Sequence, residues 1–212
     1  MNRAIRVLLV EDHQMVREGL RSLLESTEDM SVLDEADDGA EAVRMAEERG
    51  PDVVVMDISL PGLNGIDATS RLQRRRPDIP VVILSMHDDA STVDRALRAG
   101  ARGYVLKGVG VAYLRDAIRA VHQGEVYLSS GVSDYILQGY LSSDDPQIDP
   151  LTEREREVLQ LIAEGYTSRE IAGRLDLKPK TVHNHRANIM DKLDIRTTAG
   201  LVRYALSNNL IH

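Results

Sequence analysis

Along the first 125 residues, short apolar runs alternate with stretches whose apolar positions recur every three or four residues. The runs are IRVLLV, SVLDEA, VVVM, VVILS and GYVL, and the periodic stretches are 13–26, 39–49, 65–76, 89–99 and 111–123. A short apolar run bounded by turn residues reads as a strand covered on both faces, and the longer periodic stretches read as amphipathic helices. Gly50, Gly100 and Gly124 fall where helix C-caps belong, and Pro77 and Pro80 punctuate the entry to the fourth strand. Strict strand–helix alternation implies parallel strands with right-handed crossovers and helices on both faces. The pattern predicts one doubly wound α/β domain of five strands over residues 1–125.

The pattern weakens after Gly131. Residues 126–150 read as a linker, most plainly LSSDDPQIDP at 141–150, which is polar and acidic and holds two prolines. Beyond it the strand pattern is gone. Thr152 and Glu155 form a T-x-x-E capping box ahead of Val158, Leu159 and Ile162 at helical spacing, and Gly165 stops that helix. Further helical segments at 168–175, 179–193 and 197–208 complete a small four-helix, all-α domain over residues 151–212.

Composition narrows the function. Of 212 residues, 42% are hydrophobic and 28% charged, and no apolar run approaches the roughly 18 residues that a membrane span needs. MNRAIRVLLVEDH has too short an apolar run for a signal peptide, so the cytoplasm is the expected compartment. With zero cysteines, disulfides, thiol nucleophiles and thiolate metal sites are excluded. The net charge of −8 is uneven. Residues 1–130 hold 16 Lys/Arg against 22 Asp/Glu, residues 131–150 none against 4, and residues 151–212 hold 10 against 8. An acidic front half and a mildly basic tail suggest a regulatory module tethered to one that meets a polyanion.

In open parallel sheets the functional crevice lies outside the carboxyl ends of the strands. Those ends deliver Glu11 and Asp12, then Asp57, Ser85 and Lys107. Three carboxylates close together repel, and with hard oxygen ligands and no His or Cys nearby the natural counter-ion is Mg²⁺. The backbone carbonyl of Ser59 is a further candidate ligand. An Asp beside Mg²⁺, a Lys and a hydroxyl has the parts for phosphoryl transfer: an oxygen nucleophile, a charge-screening metal and donors for equatorial oxygens. The run Arg74, Arg75, Arg76 at the end of the third helix suits the negative end of its dipole.

"VEDH", "VVVMDISLPGLNG", "VVILSM" and "GYVLKG" together resemble the receiver domain of two-component response regulators, across the first 125 residues. The resemblance implies a parallel sheet of order 2-1-3-4-5, with Asp57 accepting a phosphoryl group from a sensor histidine kinase. It also implies that Glu11 and Asp12 hold Mg²⁺, that Lys107 and Ser85 bind the phosphoryl oxygens and that Tyr104 follows Ser85 inward as a switch. Met86 departs from the small residue common at its position.

In the tail, "TSREIAGRLDL" and "KPKTVHNHRANIMDKL" read as helix, short turn, helix, with Pro179 suiting an N-terminal turn. Val182, Ile189 and Leu193 share one face of the second helix, while Lys180, His183, Asn184 and Ala187 lie on the other, as a recognition helix requires. Asn184 suits an adenine edge and the Ala187 methyl a thymine methyl. Lys178, Lys180, Arg169 and Lys192 are cast as phosphate contacts, with Thr181 beside them. Arg186 falls near the core side, where it would reach a phosphate or an acid of its own domain, and Asp191 projects outward among the basic residues without an evident role.

"LTEREREVLQLIAEGYTSREIAGRL" with "KTVHNHRANIMDKL" is similar to the DNA-binding domain of NarL/LuxR-type regulators, over residues 151–212. That resemblance implies a homodimer on a double-stranded inverted repeat, with the last helix contributing an interface through Val202. His183 stands where that family often has Lys or Arg. Phosphorylation is expected to expose a dimerisation surface or to unmask the recognition helix. The alternative is a Mg²⁺-dependent phosphohydrolase with a docking module, although such enzymes carry a second acid two residues past the nucleophile, where this chain has Ser59.

Overall fold

A computed structural model describes residues 3–108, 110–129, 132 and 150–211. The chain divides into two compact units, Met1–Ser143 and Asp144–His212. In the first, the elements run β1 (Ile5–Val10), α1 (Gln14–Glu25), β2 (Met30–Ala36), α2 (Gly39–Arg49), β3 (Val53–Asp57), α3 (Gly65–Arg75), β4 (Val81–Ser85), α4 (Ala90–Arg98), β5 (Gly103–Leu106), α5 (Val111–His122) and β6 (Tyr127–Leu128). All strand pairs are parallel, in the order β2-β1-β3-β4-β5-β6. The five expected strands stand in the expected order. The count is corrected to six by β6, whose two residues pair with Gly103 and Tyr104, so the sheet runs past residue 125 into the expected linker. Residues 141–149 of that linker lie outside the described residues.

Alternation along each strand divides the apolar side chains between two layers. Leu8, Val54, Met56 and Ile83 pack with Val43, Ala46, Leu72 and Val93 of α2, α3 and α4. Val7, Val55, Val82 and Val105 face the other way, onto Leu24 of α1 and Leu114, Ile118 and Val121 of α5. β1, β3 and β4 are covered on both sides, which is why they read as unbroken apolar runs. Asp38, Asn64 and Asp89 cap α2, α3 and α4 by accepting from the N–H groups of Glu41, Asp67 and Thr92. Gly50 ends α2 with φ of 56°, a left-handed cap that glycine adopts without penalty. Two arginines of the run are paired: Arg75 with Glu47 of α2 at 3.0 Å and Arg76 with Asp78 at 2.8 Å.

Two glycines hold the loop after β3. A Cβ on Gly65 would lie 1.9 Å from the Asp57 carbonyl oxygen, and one on Gly39 would lie 2.1 Å from that of Leu63. The loop therefore folds back onto the end of β3 and under α2 at distances only glycine permits.

The second unit holds α6 (Glu153–Ala163), α7 (Ser168–Arg174), α8 (Pro179–Leu193) and α9 (Thr198–Ser207). Its core gathers Leu151, Val158, Leu159, Ile162, Ile171, Val182, Ile189 and Leu201. Both α6 and α7 start with a full capping box, Thr152 with Glu155 and Thr167 with Glu170. Among the described residues, no helix is long and apolar enough to cross a membrane.

Gly65→Ala is expected to destabilise the first unit by about 3 kcal/mol, because backbone at the end of β3 must move to admit the methyl group. Gly19→Ala, on exposed α1 with nothing within 4 Å of the added carbon, is expected to stabilise by about 0.5–1 kcal/mol. Urea denaturation of the two variants reads both signs.

Candidate functional site

Strand register builds the site at one edge. Val10 pairs with Met56, Asp57 with Leu84, and Ser85 with Leu106. Glu11 therefore falls beside Asp57, and Lys107 is the residue after the last β5 pair. Glu11, Asp57 and Ser85 are buried at 0%, 1% and 0% exposure. Isolated carboxylates would not tolerate that burial, so a cation must reach both acids. Lys107 Nζ does so, lying 2.8 Å from Asp57 Oδ2 and 2.8 Å from Glu11 Oε2.

The ionisation behaviour follows from this packing. Burial pushes the Asp57 carboxyl up from its ordinary value, against the opposing pull of Lys107, while nearby Glu11 adds to the rise. The Ser59 N–H donates to the Asp57 carboxylate and favours its charged form. For Lys107, burial opposes the charge, but Asp57 and Glu11 outweigh it and hold the ammonium above its ordinary pKa.

A histidine also meets the acids. His13 Nδ1 lies 2.6 Å from Asp12 Oδ1 and 3.2 Å from Glu11 Oε1. Asp12 foremost raises the pKa of this exposed ring. The expectation of no histidine near the acids is thus corrected: donor atoms of Glu11, Asp12 and His13 all lie within 4.8 Å of one another. His13 was legible as the fourth letter of VEDH, but its position before α1 suggested nothing beyond a helix start.

Ser85 and Tyr104 form the opposite wall. The Ser85 hydroxyl oxygen accepts from the His87 N–H at 2.9 Å, and the Tyr104 hydroxyl donates to the His87 carbonyl at 2.7 Å. Tyr104 is fully buried, and its pKa is pushed up to about 12, by burial first and against a hydrogen bond with Ser85. Its ring is already inward, in the interior of the sheet rather than at its edge, since β6 flanks β5. Met86 is 74% exposed.

In the second unit, α7, a short turn and α8 form the helix-turn-helix. Val182 and Ile189 are buried, while Lys180, His183, Asn184 and Ala187 are exposed and Thr181 is half-buried. Asn188, exposed four residues beyond Asn184, belongs to the same outer face and was readable from that spacing. His183 donates through Nδ1 to the Pro179 carbonyl at 3.1 Å. Lys178, Lys180 and Arg169 are exposed and make no ion pair among the described residues.

Lys192 differs from those three: its Nζ lies 2.6 Å from Glu155 Oε2, at the buried end of the α6 capping box. Buried Glu155 takes that charge, while Lys192 itself remains exposed. Arg186 makes no ion pair among the described residues and donates to the Thr198 hydroxyl at the start of α9. Asp191 acquires a partner, Arg196 at 3.0 Å. Val202, on α9, is half-buried.

A doubly wound domain that gathers acids, a lysine and a hydroxyl at the carboxyl edge of its sheet, carried on one chain with a helix-turn-helix, defines a response regulator. Residues 7–119 match the response regulator receiver domain, and residues 149–205 match the luxR family of bacterial regulatory proteins. The chain is 41% identical over 210 residues to the transcriptional regulatory protein LiaR of Bacillus subtilis, covering 98% of this chain and 100% of LiaR. It is similar to the solved structure of ChrA, a response regulator of a heme-sensing two-component system, at 36% identity and a TM-score of 0.55, covering 98% and 99% of the two chains. RcsB of Salmonella enterica serovar Typhimurium, solved on a promoter with phosphomimetic BeF3⁻, superposes with a TM-score of 0.66 at 26% identity over 97% and 100% of the chains. The chain belongs to the two-component response regulators of the NarL/LuxR type, a family of DNA-binding transcriptional regulators.

Burial works to raise the Glu155 carboxyl, but Lys192 and the Thr152 backbone and hydroxyl donors outweigh it and hold the carboxyl below its ordinary pKa. A depressed folded pKa means that this stabilisation is fully present above about 4.3 and is lost as pH falls through the lower folded value. Glu155→Ala is expected to cost about 2 kcal/mol at neutral pH and to remove that acid dependence. Amide hydrogen exchange along 153–163 reports both effects.

Proposed function

We propose that Asp57 accepts a phosphoryl group from a phosphohistidine of a sensor histidine kinase in the cytoplasm, and that the modification controls DNA binding by a homodimer. The P–N bond of the donor breaks as a P–O bond to an Asp57 carboxylate oxygen forms. What supports this is the Lys107 ammonium shared between Asp57 and Glu11 at 2.8 Å each. A cation held on two buried acids is already in place for the charge of an incoming phosphoryl group.

The donor set fits a hard divalent ion, since the cluster is rich in carboxylates and Glu11 is fully buried. Glu11, Asp12 and Asp57, with the Ser59 carbonyl, would hold Mg²⁺, which when bound supplies charge screening. Lys107 pairs with a phosphoryl oxygen, and the Ser85 hydroxyl, already on the pocket wall, turns its proton to another. Ser85 and Tyr104 share the His87 backbone as a partner, so a shift of Ser85 is transmitted to the buried ring. Phosphorylation brings about −1.5 to −2 charges and three strong acceptors, enough to bias a two-state element.

In the second unit, Asn184, Ala187 and His183 face base edges, while Lys178, Lys180, Thr181 and Arg169 meet the backbone. Two such units on an inverted repeat, joined through α9 residues such as Val202, make the second contact effectively intramolecular.

With Mg²⁺ and a small phosphodonor, the protein is expected to gain one phosphoryl group per chain and to dimerise; Asp57→Asn is expected to do neither, by intact mass and light scattering. Repeated turnover of a phosphate ester would instead mark a phosphohydrolase. On DNA, Asn184→Ala is expected to lose about 1–3 kcal/mol of discrimination at one base pair. Lys180→Ala is expected to weaken all sequences alike and lower the salt slope by about one. Binding titrations over sequence and salt separate the two.

A further inference from the structure

The histidine beside the acids has no part in the function just described. His13 occupies the N-cap position of α1, yet its side chain makes no capping hydrogen bond. The ring is turned back onto the strand end, with Nδ1 2.6 Å from Asp12 Oδ1 and 3.2 Å from Glu11 Oε1. Two oxygens here are shut off from solvent: among the described residues, Asp12 Oδ1 lies against His13 and Glu11 Oε2 against Lys107. Neither makes a hydrogen bond among the described residues beyond these contacts. Glu11 is also fixed through its main chain, since its carbonyl accepts from the Arg17 guanidinium at 2.5 Å. One nitrogen and two carboxylates therefore present donor atoms within 4.8 Å of one another, close to the span of ligands around one small divalent ion.

An all-oxygen set suits Mg²⁺, Ca²⁺ and Mn²⁺, whereas imidazole adds a borderline donor suited to Zn²⁺, Ni²⁺ and related ions. We propose that His13 is a third protein ligand of the Glu11–Asp12 cation site, through Nδ1, and that it admits borderline transition-metal ions alongside Mg²⁺. This rests on the reading that Glu11 and Asp12 hold a divalent ion. A transition metal bound there occupies the place of Mg²⁺, so the ion present in the pocket depends on the supply of both.

The test uses the full chain, with CoCl2 and MgCl2 as probes at mildly alkaline pH. Calorimetry gives both affinities, and visible absorption of Co²⁺ displaceable by excess Mg²⁺ reports the coordination of that site alone. His13→Ala is expected to weaken displaceable Co²⁺ binding about tenfold or more and to change its visible spectrum, while Mg²⁺ affinity moves less than about threefold. Unchanged Co²⁺ affinity and spectrum in His13→Ala overturn the inference. An equal loss for both ions also overturns it, since His13 would then merely organise the acids. Tighter binding of both ions in the variant overturns it too, because the ring would be a competing counter-charge. If the parent protein binds neither ion, or binds both undiminished after Asp12→Ala, the underlying cation-site reading has failed instead.

Discussion

One ammonium group makes the carboxyl edge of the sheet possible. Glu11 and Asp57 end neighbouring buried strands, and neither has solvent to stabilise its charge. Lys107 reaches both from the far side of β4 because parallel register brings the ends of β1, β3 and β5 to one edge. Breaking a buried pair by removing one partner is far more destabilising than an exposed pair is stabilising, so the three side chains act as a unit. The function of the pocket and the tolerability of its buried charges have the same source.

The sheet was largely legible in the sequence because its central strands lie under two layers. That condition writes itself as unbroken Val, Ile and Leu, and the ends of the five expected strands fall within a residue or two of where the pattern put them. β6 left no such mark: a pair of residues held by backbone hydrogen bonds to β5 is shorter than any periodicity. Gly65 was legible as a loop residue, but its close approach to the Asp57 carbonyl requires the folded loop. At the site, strand-end logic reached Glu11, Asp12, Asp57, Ser85 and Lys107 together. His13 escaped because its contacts with the acids depend on which way a ring turns at the start of a helix.

The second unit shows where side-chain identity ceases to predict role. Lys178, Lys180 and Lys192 are alike in sequence, yet Lys192 meets Glu155, 37 residues earlier in the chain. Long-range pairing of this kind has no local signature. Asp191 and Arg196 were closer to readable, but their contact needs the turn after α8, where Asp194 adopts a left-handed φ of 51°. What periodicity did fix was the outward face of α8, since a buried Val182 and Ile189 leave Asn184 and Ala187 nowhere else to point.

The oxygen Oε2 of Glu155 accepts from the Thr152 N–H, the Thr152 hydroxyl and Lys192 Nζ. Thr152 caps the start of α6, and Lys192 lies in the last turn of α8. A single atom thus ties the start of α6 to the last turn of α8, so a change at any one of the three donors is felt at both helices.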